Sequence, residues 1–232
     1  MKLYIDGVNI EIIKELITIY PIKGITTNPT ILKKYNENPI TLLNQIKNII
    51  DEDQELMIQI VSTECDKMLD EALALVKFFN NANIFIKIPT NIEGIKAIRK
   101  IKSIYPDIKI CATAVYSTIQ GLLAAKAGAD LIATYVNRID NLGGDGVKVT
   151  KEIHDLIKAY NLKSEILAAS FKNLKQLTEL VNYGIPRATL AIEIWQNILT
   201  DNNVEHAINE FNKDFKALIN SDDSFIELLN KE

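Results

Sequence analysis

The sequence predicts a single α/β domain, a closed (β/α)8 (TIM) barrel with an extra helical segment at its C-terminus. Short β-type runs alternate with amphipathic helical patterns along the chain, the arrangement of a parallel sheet with crossover helices. Eight such runs can be counted, and most are continuously apolar, as expected of strands covered on both faces. The length of 232 residues fits a barrel at the compact end of its range. A doubly wound open sheet is the alternative. It is disfavoured because Asp6 is followed by Gly-Val-Asn-Ile, with no second glycine for a phosphate-binding turn.

In chain order, strands are expected at Lys2–Asp6, Gly24–Asn28, Leu56–Val61, Ile84–Pro89, Ile108–Ala114, Leu131–Val136, Glu165–Ser170 and Arg187–Ala191. Between them, apolar residues at three- and four-residue spacing predict helices such as Ile10–Tyr20, Cys65–Phe79, Ile92–Ile104, Ser117–Ala127, Val147–Tyr160 and Asn173–Tyr183. Asn203–Lys231 reads as one or two further amphipathic helices. Its Phe211, Phe215, Leu218, Phe225 and Leu228 need a surface to cover, either the outside of the barrel or a neighbouring subunit. No Pro/Gly/Ser-rich linker or low-complexity tract interrupts residues 1–232, so one domain is expected.

Composition narrows the function. With 26 basic against 30 acidic residues, the chain lacks the electrostatic footprint of a nucleic-acid or anionic-membrane partner. The opening MKLYIDG has no apolar signal region, and no apolar run approaches the ~20 residues that span a bilayer, which predicts a cytoplasmic protein. Cys65 and Cys111, the only two cysteines, read as reduced thiols. The two histidines, His154 and His206, fall in predicted helices, and no His/Cys/carboxylate cluster has metal-ligand spacing, so no metal is expected. Neither a Gly-x-Ser-x-Gly elbow nor a Walker loop occurs.

Seven of the predicted strands carry a polar residue near their C-terminal end: Asp6, Asn28, Gln59, Lys87, Thr113, Tyr135 and Ser170. In a barrel these ends share one mouth, where active sites of this fold sit. Strands running out into loops become polar anyway, which explains Asn28, Thr113 and Ser170 equally well. Gln59 and Lys87 differ, because Ile60-Val61 and Ile88-Pro89 follow them and put each inside its strand. Lys87, in Ile84-Phe85-Ile86-Lys87-Ile88-Pro89, is the sharpest signal. An ammonium there loses hydration, which favours the neutral amine, a nucleophile able to form a Schiff base with a ketone. The plainer alternative is a structural lysine paired with Asp6 or reaching out of the mouth. Tyr135 is placed to act as general acid/base, directly or through a water held with Gln59 and Thr113. Ser170, Arg138 and the turn Gly143-Gly144-Asp145-Gly146 are candidates for a phosphate, although a Gly-Gly-x-Gly sequence more often serves as a plain loop-to-helix turn.

Six segments in order resemble the small transaldolase-like enzymes, a group that includes fructose-6-phosphate aldolase. They are Leu3-Tyr4-Ile5-Asp6, Gly24-Ile25-Thr26-Thr27-Asn28-Pro29-Thr30, Ile86-Lys87-Ile88-Pro89, Thr113-Ala114-Val115-Tyr116, Tyr135-Val136-Asn137-Arg138-Ile139-Asp140 and Ala168-Ala169-Ser170-Phe171-Lys172. The resemblance runs from Met1 to about Leu199. It implies a barrel with Lys87 as the Schiff-base lysine on the fourth strand. Asp6, Gln59, Thr113 and Tyr135 would serve the chemistry, Thr27 and Asn28 the substrate, and Arg138 and Ser170 its phosphate. The implied partners are a ketose phosphate and an aldehyde, with no cofactor. The implied assembly is a homo-oligomer, commonly a ring-shaped decamer in which the C-terminal helix reaches a neighbour. True transaldolases carry a glutamate on the third strand, where this chain has Gln59, which looks like the aldolase pattern. The activity implied is cleavage of fructose 6-phosphate to dihydroxyacetone and glyceraldehyde 3-phosphate. Transaldolase, moving the same three-carbon unit between sugar phosphates, and a non-catalytic sugar-phosphate-binding barrel are the alternatives. Thr134 and Ala191 depart from the family's frequent proline, and Gly7 from its frequent hydroxyl residue.

Overall fold

The computed structural model describes residues 1–80 and 83–231, which form two compact units, Met1–Trp195 and Gln196–Glu232. In the first, β1 (Lys2–Asp6), β2 (Ile22–Thr26), β3 (Glu55–Gln59), β4 (Asn83–Pro89), β5 (Ile110–Val115), β6 (Leu131–Tyr135), β7 (Glu165–Ala169) and β8 (Arg187–Ala191) close a barrel in sequence order. Every neighbouring pair is parallel, and β8 returns to β1. The predicted (β/α)8 barrel is therefore the observed fold.

The helices are α1 (Ile10–Ile19), α2 (Pro29–Lys33), α3 (Pro39–Ile49), α4 (Cys65–Phe78), α5 (Ile92–Ile104), α6 (Thr118–Lys126), α7 (Val136–Asn141), α8 (Gly146–Ala159), α9 (Leu174–Tyr183), α10 (Ile192–Asn197), α11 (Asn202–Ile219) and α12 (Phe225–Leu229). Sequence reading missed α2 and α3, yet each begins with Asn-Pro, at Asn28-Pro29 and Asn38-Pro39. Both asparagines cap with their side chains while proline takes the first turn, where a missing N–H costs nothing. α7 was also missed: the chain turns directly from β6 into helix at Val136, so Arg138 lies on a short helix at the mouth.

Several strand boundaries need correction: β2 runs Ile22–Thr26 rather than Gly24–Asn28, so Asn28 lies beyond it as the N-cap of α2, β5 begins at Ile110, and Val136 and Ser170 fall just past β6 and β7. Gln59 ends β3 rather than lying inside it. Ile60 still bonds to the Lys87 carbonyl, but the Val61 and Ser62 N–H groups donate to the Glu71 carboxylate, which pulls the chain off the sheet and leaves Val61 69% exposed. Lys87 does lie within its strand.

Side chains on a strand alternate faces, and in a barrel every second one points inward. Tyr4, Met57, Phe85, Cys111, Leu131, Ala133 and Leu167 form the buried interior. Two residues after six of them come Asp6, Gln59, Lys87, Thr113, Tyr135 and Ala169. The same alternation that fills the interior thus lines its rim. Cys111 is fully buried, which pushes its thiol up to about 12, and both cysteines are free.

The floor of the barrel is polar but closed. Arg187 donates from Nη1 to Glu55 Oε2 at 2.7 Å and to the Tyr4 hydroxyl, and from Nε to Glu165 at 2.6 Å, while Tyr4 donates to Glu55 at 2.7 Å. The Arg187 and Glu55 side chains are 9% and 8% exposed. Buried charges of this kind hold only while all partners are present.

In the second unit, α11 carries Val204, Ile208, Phe211 and Leu218 along one stripe, and none of its residues is buried. Phe215 packs on Phe225 of α12, ring centroids 4.5 Å apart. Among the described residues no helix is long and apolar enough to cross a membrane.

Removing Arg187 leaves the buried Glu55 carboxylate without its cation, with only the Tyr4 hydroxyl still donating to it. Arg187→Leu should lower unfolding free energy by about 3 to 5 kcal/mol, read by urea denaturation. A loss below about 1 kcal/mol would mean that the floor is hydrated enough to dispense with the ion pair.

Candidate active site

At the C-terminal ends of the strands, Asp6, Thr26, Asn28, Lys87, Ala133, Tyr135, Arg138, Leu167, Ala169, Ser170 and Thr189 line a cavity of about 90 Å³. A larger groove of about 490 Å³ shares none of these residues, so size alone does not locate the chemistry.

Lys87 is 6% exposed and the only lysine among the buried described residues. Its Nζ donates to the Thr27 carbonyl at 2.7 Å, rather than closing an ion pair with Asp6. The Asp6 carboxylate accepts instead from Thr26 Oγ1 at 2.7 Å. Thr26 lies 2.7 Å from Thr189 Oγ1, and since its own proton goes to Asp6, Thr189 must donate to it. Burial pushes the Asp6 carboxyl above its ordinary range, against the pull of Lys87, the Thr26 hydroxyl and Arg138.

Across the cavity, the Tyr135 hydroxyl and Thr113 Oγ1 are 3.0 Å apart. The Tyr135 ring meets Tyr116 edge-on at 5.5 Å and carries the Arg138 guanidinium 4.7 Å from its centroid. A hydrogen bond with Tyr116 raises the Arg138 pKa, outweighing desolvation, so the guanidinium stays charged at the mouth.

Two backbone irregularities set these side chains. Ala114 has φ 58° where the pairing of β5 with β6 shifts register, and Thr90 clamps the spot, its Oγ1 donating to the Ala114 carbonyl at 2.9 Å and its N–H to the Thr113 carbonyl at 3.0 Å. Ser170 has φ 61°, with its carbonyl held by the Asn137 N–H at 2.7 Å. Left-handed backbone costs an L-residue about 1 to 2 kcal/mol, so each needs such restraint.

Most of the sequence-predicted residues converge: Asp6, Asn28, Lys87, Tyr135, Arg138 and Ser170 share the cavity, and Thr113 reaches it through Tyr135. Asn28 uses its carbonyl oxygen to cap α2, which leaves its NH2 as the donor for a ligand. Thr27 contributes its backbone carbonyl, while its side chain is spent on the Met57 carbonyl. Gln59 pairs with Lys87 in the β3–β4 register but lines the adjoining grooves rather than the cavity. Thr26 and Thr189 were missed. The signal was available: Thr189 stands two residues after Arg187 and Thr26 two after Gly24, each on the inward phase of its strand.

The glycine turn directs three of its N–H groups inward, onto the protein itself. The N–H groups of Gly143, Gly144 and Gly146 go to the Asp140 carbonyl, the Ile139 carbonyl and the Asp140 carboxylate. Gly146 is required for packing, since a Cβ there would sit 2.1 Å from the Val136 carbonyl oxygen. Of the departures from the family pattern, Thr134 is buried with its Oγ1 2.9 Å from Thr150 Oγ1, and the space beside Gly7 is filled by Ile192.

Fold and site together define a barrel enzyme with its polar groups gathered at the strand C-termini. Residues 3–232 match the family described as Transaldolase/Fructose-6-phosphate aldolase, and the chain belongs to that family. It is accordingly a Schiff-base aldolase or transaldolase.

Because the folded protein holds the Asp6 proton more tightly than the unfolded chain, ionising Asp6 costs stability as pH rises from about 3.8 through the raised folded value. Asp6→Asn removes that cost. Its melting temperature should exceed that of the parent at pH 7 and converge with it near pH 3, while turnover falls by about 10²-fold or more. Parallel melting curves at both pH values would show that the carboxylate pays no burial penalty.

Proposed function

We propose that the protein cleaves fructose 6-phosphate to dihydroxyacetone and glyceraldehyde 3-phosphate, with Lys87 as the Schiff-base amine. The observation that carries the reading is a buried lysine whose Nζ is hydrogen-bonded to a carbonyl in a cavity that also holds Asp6, Tyr135, Arg138 and Ser170. The Lys87 amine, having given up its proton, adds to the C2 carbonyl, and loss of water leaves an iminium. Tyr135, directly or through a water, takes the proton of the C4 hydroxyl; the C3–C4 bond breaks, and its electrons pass into the iminium to give an enamine. Glyceraldehyde 3-phosphate departs. Protonation of the enamine at carbon and hydrolysis of the iminium release dihydroxyacetone and restore Lys87.

Thr113 fixes the phenol that moves the proton. Asp6 and Asn28 orient the donor hydroxyls and the amine, and Arg138 and Ser170 take the phosphate. Gln59, one strand spacing of about 4.8 Å from Lys87, orients the water from the groove side. Its amide cannot ionise, which favours an aldolase over a transaldolase, since water activation then falls to Tyr135. Transaldolase remains the second reading, because the family description names both activities.

Borohydride added with dihydroxyacetone or fructose 6-phosphate should leave a covalent mass increase on the peptide bearing Lys87. Lys87→Met should abolish that label and lower turnover by about four orders of magnitude. An unlabelled protein that still turns over would refute the Schiff-base assignment. Tyr135→Phe should slow cleavage by about 10² to 10⁴-fold and keep the label. Fructose 6-phosphate alone should release glyceraldehyde 3-phosphate; release only after addition of erythrose 4-phosphate would decide for transaldolase.

A further inference from the structure

Two loops carry the residues assigned above to the substrate phosphate: Arg138 lies on α7 after β6, and Ser170 follows β7. The Asn137 N–H joins them directly through the Ser170 carbonyl. A second tie runs through a buried amide outside the cavity. Gln176, in the first turn of α9, is only 9% exposed. Its Nε2 donates to Asp140 Oδ2 at 2.7 Å, and its Oε1 accepts the Lys172 N–H at 2.8 Å. The other Asp140 oxygen accepts the Gly146 N–H at 2.7 Å.

Gln176 therefore joins α7, two residues past Arg138, to the backbone two residues past Ser170, and the other oxygen of Asp140 carries the tie on to the turn into α8. The chemistry of its two ends is complementary: a carboxylate needs a donor, a peptide N–H needs an acceptor, and an amide is both. A leucine there would leave the Lys172 N–H and an Asp140 oxygen unpaired, and an ionised glutamate would keep the first bond while repelling Asp140. The left-handed backbone at Ser170 gives the tie a purpose. A residue held at φ 61° relaxes unless restrained, and Asn137 grips it at its own carbonyl while Gln176 grips the chain two residues on.

We infer that Gln176 is a positioning residue for phosphate recognition, setting the placement of Ser170 relative to Arg138 and hence the preference for phosphorylated over unphosphorylated ketoses. The inference rests on the assignment of Arg138 and Ser170 to the phosphate. It is tested with full-length protein by steady-state kinetics on fructose 6-phosphate and on fructose, by inhibition with inorganic phosphate, and by borohydride trapping of dihydroxyacetone. The parent should be inhibited competitively by phosphate. In Gln176→Leu, KM for fructose 6-phosphate and Ki for phosphate should both rise about tenfold. kcat, kcat/KM on fructose and the Lys87 label should stay within about twofold.

Gln176→Glu should behave like the leucine variant when ionised and recover phosphate affinity as the pH is lowered and the carboxyl regains a proton to donate to Asp140. A general packing defect would not produce that recovery, and this variant carries the test if Gln176→Leu does not fold. Equal losses on fructose and fructose 6-phosphate, no loss on either, or no recovery on acidification overturns the inference. Absence of phosphate inhibition in the parent removes the assignment of Arg138 and Ser170 first, and the role of Gln176 with it.

Discussion

The closed parallel register of the barrel is the constraint from which the site follows. Side chains alternate inward and outward along each strand, and closure forces all inward positions into a few shared layers. Tyr4, Met57, Phe85, Cys111, Ala133 and Leu167 occupy the interior, so residues two further along emerge together at the rim. Asp6, Lys87, Thr113 and Tyr135 meet because each stands one alternation beyond a core residue.

The two ends of the barrel handle charge differently. At the floor, Arg187 is matched by Glu55 and Glu165 with the Tyr4 hydroxyl between them, so the buried charges are paired within the protein. At the mouth, the lysine is satisfied by a carbonyl and the carboxyl by a hydroxyl, and the two charges attract across the cavity without a direct bond. The first arrangement holds the fold together. The second leaves an amine and a carboxyl one hydrogen-bond exchange away from a ligand, at the cost of a carboxyl that ionises with difficulty.

Loop geometry completes the site by carrying groups that no strand could aim. α7 begins directly at the end of β6, which brings Arg138 back over the ring of Tyr135. Left-handed residues at Ala114 and Ser170 turn the chain where the strands end, and each is held by hydrogen bonds from a neighbouring loop, through Thr90 and Asn137. The turn Gly143–Gly146 spends its N–H groups on that scaffold, so its glycines serve close packing and the entry into α8.

Local information was enough for much of this. The alternation of short apolar runs with helical patterns determined the barrel, because strands covered on both faces and helices covered on one leave different periodicities in the chain. A charged residue inside an apolar run determined Lys87, because burying an ammonium is unfavourable enough to need a reason. What the chain alone did not determine was contact between residues far apart in sequence. The apolar Ile60-Val61 made β3 look longer than it is, since the Glu71 carboxylate that draws the chain away lies ten residues on from Val61. Thr189 looked like an ordinary strand threonine until closure of β8 onto β1 set it against Thr26, 163 residues away, in the hydrogen-bond chain to Asp6. Periodicity is a local property and survives in the sequence; hydrogen bonds across a closed sheet depend on register, and only the folded barrel sets it.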